Sequence, residues 1–234
     1  MAQRFLARGV RVLATARNPA KLAHLGVETV DPARFPQTLP ENLVILYSLP
    51  PAAQFDLSCL GDRPNRVVYL SSTGVYGDAT EVNLQTEPDD STAKARARIT
   101  AEREIQKHFP STLILRPAAI YGPGRGVQES IQTHGYHMGD NFISRIHVDD
   151  LAAHAEAALL SNLTGAYPVA DEAPCTTREI GEFCARLLGI EVQEPQDAAR
   201  RTSNRRVDGS AIRKLLGITL RYATYKEGIP ASLC

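Results

Sequence analysis

The chain has 234 residues, 43% of them hydrophobic, and its 26 basic side chains balance 26 acidic ones for a formal net charge of zero. At about 100–200 residues per domain this suits one large domain, or one with a small lobe, that buries a core without needing disulfides. A zero charge sum offers no pull toward phosphate backbones or anionic lipid, which argues against nucleic-acid or membrane-surface binding as the main role and directs attention to a small-molecule site.

Residues 2–8 are expected as a helix stopped by Gly9. Its Arg-containing start runs directly into a strand pattern, which favours a structural helix over a transit peptide. Residues 10–16 read as a short strand with β-branched side chains; Asn18 then caps, and Pro19 opens, a short helix to Leu25. Residues 27–30 and 43–49 read as buried strands, and residues 50–64 leave little room for a parallel crossover. The clearest strand is Arg66-Val-Val-Tyr-Leu-Ser-Ser72, apolar throughout its middle like a parallel strand covered on both faces.

Ser91 or Thr92 caps a helix expected to reach His108, and residues 112–115 form another buried strand ended by Arg116-Pro117. Further on, residues 142–148 read as a strand, 149–160 as a helix whose acidic start suits its dipole, and 166–170 as a strand. Helices are expected at 176–188 and 208–216. Residues 193–206 are polar and Arg-rich, either a surface loop or a flap over a site. Strands alternating with helices indicate an α/β fold with a doubly wound parallel sheet. The scattered Cys59, Cys175, Cys184 and Cys234 and the lack of a bilayer-length apolar run point to reduced thiols, no membrane span and a cytoplasmic location.

Directly after the clearest strand stands Ser71-Ser72-Thr73-Gly74-Val75-Tyr76-Gly77-Asp78. Ligands of open α/β sheets bind outside the carboxyl ends of the strands, so these hydroxyls can face a ligand; on composition alone they are equally an ordinary polar strand exit. The next strand runs out through Leu115-Arg116-Pro117-Ala118-Ala119-Ile120-Tyr121-Gly122-Pro123-Gly124-Arg125, and later comes Arg145-Ile146-His147-Val148-Asp149-Asp150-Leu151-Ala152. In this order and spacing, with residues 165–171 and 206–217 behind them, these segments resemble the extended and atypical short-chain dehydrogenase/reductases, the NAD-dependent epimerase/dehydratase family. The resemblance covers nearly the whole chain.

It implies a Rossmann-like domain at residues 1–165 and a small α+β substrate lobe at 166–234, interleaved with the first. The implied activity is that of an NAD(P)-dependent oxidoreductase or nucleotide-sugar epimerase/dehydratase, with NAD or NADP as cofactor and a nucleotide sugar among the candidate substrates. By resemblance Ser72 would hydrogen-bond a substrate oxygen, with Thr73 and Lys94 as the other catalytic positions. Arg17, Ser48, Leu49, Pro50, Ser71 and Pro117 would touch the cofactor, Arg17 favouring a 2′-phosphate and so NADP. Tyr76, Tyr121, Arg125, Arg145 and His147 would approach substrate, although both tyrosines equally suit packing into the rim. Asp149 and Asp150 are expected to cap the following helix.

Two features depart from the family pattern. Counting back from Glu102, the positions of the family's catalytic Tyr-x-x-x-Lys hold Lys94 and Arg98, and no tyrosine lies between Tyr76 and Tyr121. Lys94, Arg96 and Arg98 are either a cation source at the site, as in an atypical bacterial subgroup with an Arg-rich helix, or a solvated face. The family fold also opens with a strand and a glycine loop that admits pyrophosphate to a helix N-terminus. Here the first glycine is Gly9, and residues 2–8 resemble the later part of the helix that follows such a loop. The first strand and the loop are therefore expected to be missing from the chain as given, leaving unpaired sheet edges and weak dinucleotide binding. A non-catalytic nucleotide-sensing or partner-binding protein on the same scaffold, or an inactive fragment, is the alternative. His134, His137 and Asp140 lack metal-ligand spacing and Cys175 lacks a base partner, so neither a metal nor a cysteine nucleophile is expected.

Overall fold

The computed structural model describes residues 1–16, 18–51, 56–193 and 203–233. The amino-terminal flank comprises α1 (Ala2–Leu6), β1 (Leu13–Ala14) and β2 (Glu28–Thr29). Between β1 and β2 a 3-10 turn, Pro19–Leu25, is capped by Asn18, whose side chain accepts from the Ala20 N–H. β3 (Leu43–Tyr47) and β4 (Pro64–Leu70) follow, with a 3-10 turn at Leu57–Leu60 between them. β5 (Glu81–Val82) leads to α2 (Ala93–His108), where the Thr92 hydroxyl accepts from the Ala95 N–H at 3.1 Å.

Next come β6 (Leu113–Pro117), β7 (Ala119–Tyr121), α3 (Val127–Thr133), β8 (Phe142–Ile143), β9 (Arg145–His147), α4 (Val148–Leu159) and β10 (Gly165–Val169). The carboxyl-terminal part holds β11 (Cys175–Thr176), α5 (Thr177–Leu188), β12 (Arg206–Val207), α6 (Ser210–Leu216) and α7 (Tyr225–Ala231).

The central sheet has the order β10-β6-β4-β3, with every pairing parallel. Its strands are apolar on both faces because each face carries a helical layer. Val68, Leu113 and Leu115 pack with Leu151, Ala155 and Ala158 of α4 and Ile212 of α6. Val67, Tyr69 and Ile114 pack on the opposite side with Ile105 of α2. This is the doubly wound α/β architecture. A second, smaller core joins Tyr121, Val127 and Ile131 to Ile180, Tyr225 and Ile229, and so binds α3, α5 and α7 together.

β1 and β2 pair with each other but not with β3, so a break separates their small parallel sheet from the central one. Val12 and Leu46 nevertheless border one apolar layer and Leu13 and Ile45 the other, so both layers continue past the break.

The expected strand at 142–148 is interrupted: β8 pairs antiparallel with β11 while β9 pairs parallel with β7. Between them Ser144 turns its hydroxyl to accept from the Val207 N–H at 2.8 Å. Among the described residues no helix is long and apolar enough to cross a membrane.

Candidate active site

Beyond Leu70 the chain turns at the carboxyl edge of the sheet. Ser72 starts the 3-10 turn Thr73–Tyr76, and its Oγ accepts from the Gly74 N–H at 3.0 Å. Val75 and Tyr76 then drive into the core, anchoring the turn by burial.

Two arginines fix this turn. Arg116 of β6 donates to both carboxylate oxygens of Glu102, at 2.7 and 3.1 Å, and to the Tyr76 hydroxyl at 3.1 Å. This ion pair is buried, with both charges satisfied. Arg205 donates to the carbonyls of Thr73 at 2.6 Å and Ala79 at 2.9 Å, and to that of Gly77. Burial lowers its pKa, and carbonyl oxygens supply its hydrogen-bond acceptors. A turn held this way presents the Ser72 hydroxyl in a fixed position.

Arg98 of α2 lies over the turn. A Cβ on Gly74 would stand 3.2 Å from Arg98 Nε, 3.3 Å from Arg98 Cδ and 3.4 Å from Ser72 Oγ. Arg98 is half-buried, and its guanidinium has no hydrogen bond or ion pair among the described residues. Lys94, one turn earlier, is exposed. The cation that packs on the Ser72 turn is therefore Arg98, whereas the family resemblance had given the catalytic position to Lys94.

The parallel topology brings together the carboxyl ends of β3, β4 and β6. Ser48 and Pro50 are exposed and Leu49 half-buried at the end of β3, while Pro117 is buried at the end of β6. Ser71, at the end of β4, is buried with an Oγ that has no hydrogen-bond partner. Thr73 is half-buried beside Ser72. Arg17 lies outside the described residues.

The residues expected to approach substrate divide into two groups. Arg125 is exposed in the turn after β7, and its guanidinium is unpaired among the described residues. Tyr76, Tyr121, Arg145 and His147 are instead buried and committed to internal partners. Tyr76 holds Arg116, as above. Tyr121 donates to the Thr224 carbonyl at 3.4 Å, and Gly228 passes so close that any Cβ there would collide with its ring.

Arg145 donates to the Ile143 carbonyl at 3.0 Å, to Cys175 Sγ at 3.3 Å and to the Tyr136 hydroxyl at 3.4 Å. His147 Nδ1 accepts from the Asp149 N–H at 3.1 Å and Nε2 faces Ser232 Oγ at 3.2 Å. Burial lowers the His147 pKa. His147 is thus the cap of α4, a role expected of the aspartates. Asp150 accepts instead from the backbone N–H groups of Arg221 and Tyr222, at 2.7 and 3.1 Å, and tethers that loop.

Farther along the carboxyl edge an open cleft of about 400 Å³ is lined by β5, β12, α6 and the turn after β10. Asp171 borders it, 2% exposed, and one of its carboxylate oxygens has no hydrogen-bond partner. Burial raises the Asp171 pKa to about 7.

Residues 57–170 match the model of the NAD dependent epimerase/dehydratase family. Protein YeeZ of Escherichia coli strain K12 is 28% identical over 169 residues, 70% of this chain and 61% of that protein. The match thus spans less than two thirds of the relative's length. A conserved protein of unknown function from Silicibacter pomeroyi superposes with a TM-score of 0.82 at 28% identity, covering 99% of this chain and 93% of the other. MoeE5, solved in complex with UDP-glucose and NAD, has the same fold at a TM-score of 0.79 and 19% identity, covering 99% of this chain and 92% of the other.

Proposed function

The chain belongs to the NAD-dependent epimerase/dehydratase family, and on that premise we propose that it is an NAD(P)-dependent oxidoreductase acting on a small polar substrate of the nucleotide-sugar class. The observation that carries this reading is the pair of serines at the carboxyl end of β4. The buried Ser71 hydroxyl has no internal partner, and Ser72 is held with its hydroxyl hydrogen unused among the described residues. A buried polar group left unmatched costs about 1–3 kcal/mol, so Ser71 suits an edge that receives a polar ligand.

These residues fit the nicotinamide end of a dinucleotide, with Ser48, Leu49, Pro50 and Pro117 on the neighbouring strand ends. They supply less for the pyrophosphate: among the described residues no glycine-rich turn leads from a strand of the central sheet directly into an α-helix. A nicotinamide, when bound, supplies hydride transfer. Ser72 then donates to the substrate oxygen at the reacting carbon, Thr73 borders it, and Arg125 binds a distal polar group.

No phenol replaces the family's tyrosine as a ready proton donor. Tyr69 and Tyr76 are buried and their pKa values are raised, that of Tyr69 to about 12. That single observation favours the second reading, a non-catalytic nucleotide sensor on the same scaffold. In either case residues 1–165 would carry the cofactor, and residues 166–234, interleaved with them, would complete the site of the second ligand.

Fluorescence titration with NADH and NADPH is the test. Saturable binding that weakens in Ser71→Val supports the cofactor reading, and binding of neither nucleotide removes it. Equal preference for the two nucleotides in wild type and Arg17→Ala removes the NADP preference. Binding without oxidation of the reduced nucleotide by any sugar nucleotide favours the sensor.

A further inference from the structure

Arg98 and Ser72 border the same bare Cα, that of Gly74, and each has hydrogen-bonding capacity left over. Ser72 Oγ already accepts from Gly74, which leaves its hydrogen for an outside acceptor. Among the described residues the guanidinium has no counter-charge in hydrogen-bond or ion-pair contact. Glu102, one helical turn away, directs both oxygens to Arg116, and Asp89 binds the N–H and hydroxyl of Ser91. A half-buried cation and a hydroxyl donor packed side by side on one glycine are complementary to a polar ligand that carries a negative charge.

Resting on the oxidoreductase reading, we propose that Arg98 is the receptor for an anionic group carried beside the substrate oxygen that Ser72 holds, and that the substrate is accordingly a sugar acid or a comparable carboxylate. The planar guanidinium presents paired N–H donors that match the two oxygens of a carboxylate, a fit a lysine cannot reproduce. A guanidinium also cannot be deprotonated in a protein, so Arg98 holds and orients charge and relays no proton. This accounts for a site that lacks the phenol: the position next to Ser72 serves to bind an anion. Gly74 is required because a side chain there would crowd the Arg98 stem and the Ser72 hydroxyl together.

The test is side-chain arginine NMR on the whole chain, with the Arg98 Nε–H resonance assigned by its loss in Arg98→Met. D-glucuronate is the probe, D-glucose the neutral control, and NADH is titrated separately. Glucuronate should shift the Arg98 Nε–H and the Gly74 amide saturably, and glucose should not. Arg98→Met should weaken glucuronate binding about tenfold or more, the usual worth of a hydrogen bond to a charged group. Arg98→Lys should restore part of that affinity, which separates the anion contact from any loss of folding.

Absence of a glucuronate shift, or an equal shift with glucose, overturns the proposal. So does a response of Arg98 to NADH alone, which would give the arginine to the cofactor. Failure of NADH to bind speaks against the oxidoreductase reading, while the glucuronate response still decides this one.

Discussion

β3 and β4 run side by side in register, Val44 beside Arg66 through Tyr47 beside Tyr69, and both are apolar, yet they differ sharply in burial. In β4 four consecutive residues are buried, whereas in β3 none is, and Val44 is 50% exposed. Composition does not separate them. β4 has hydrogen-bonded neighbours on both sides, β6 and β3, and β3 has one. The same contrast runs through the candidate site: the turn after β4 is clamped by Arg116 and Arg205, while Ser48 and Pro50 after β3 stand exposed. An apolar strand becomes a rigid platform only when its neighbours cover it.

The strongest point of the clamped half is the Glu102–Arg116 pair, whose side chains are 5% and 9% exposed. Glu102→Gln leaves the guanidinium buried without its counter-charge, and losing one partner of a buried pair costs about 3–5 kcal/mol. Chemical denaturation measures this directly. A loss below about 1 kcal/mol would mean that water reaches Arg116 and that the pair does not anchor Tyr76.

The second clamp should yield less. Arg205→Met removes three hydrogen bonds to carbonyls, and about 1–3 kcal/mol is expected from the acceptors left unmatched. The more telling readout is hydrogen exchange, which should quicken at the Gly74 and Val75 amides of the turn and leave the β6 amides unchanged. Uniform quickening across the sheet would make Arg205 a general support instead of a clamp on the Ser72 turn.

With the cap of α2 narrowed to Ser91 or Thr92, the central sheet and the long helix itself were legible in the sequence because each rests on a run long enough to show its period. The ribbon of β5 and β12 was not, since it consists of two residues per strand joined across more than a hundred. Nor were the short helices α3 and α7, or the split at Ser144, which depends on a contact with Val207. The family resemblance placed Tyr76, Tyr121, Arg145 and His147 near the substrate. Packing of the two tyrosines into the rim was an open alternative, but nothing in the sequence revealed the inward turn of Arg145 and His147, which is set by contacts with Tyr136 and Ser232. Arg98 carried a usable signal. It lies three residues after buried Ala95 and four before buried Glu102, on the packed face of α2, whereas Lys94 falls a turn short of the contact.

At the far end of the sheet, Asp171 gives a graded test. Its pKa is raised to about 7 from an ordinary 3.8 by burial, against the partial opposition of Arg145 and Arg213. The folded protein therefore keeps a proton that the unfolded chain releases. This contribution is complete below about pH 4 and is lost as pH rises through about 7, with a slope of at most about 1.4 kcal/mol per pH unit. Asp171→Asn should flatten the stability profile across that window and stabilise the protein above it. An unchanged profile would mean that the carboxylate is hydrated in solution.

The smallest effect belongs to the exposed strand and defines the contrast most cleanly. Val44→Thr keeps the β-branched shape, so at a half-exposed site it should alter stability by no more than about 0.5 kcal/mol. The same change at Val68 of β4, which is 0% exposed, puts a hydroxyl into an apolar layer and should cost about 1–3 kcal/mol. Measuring both by urea denaturation in one background cancels differences in the unfolded chain. If Val44→Thr proved as costly as Val68→Thr, β3 would have to be covered in solution on the side that faces β1. The break between the β1–β2 sheet and the central sheet would then be closed by a contact stronger than the continuity of their apolar layers.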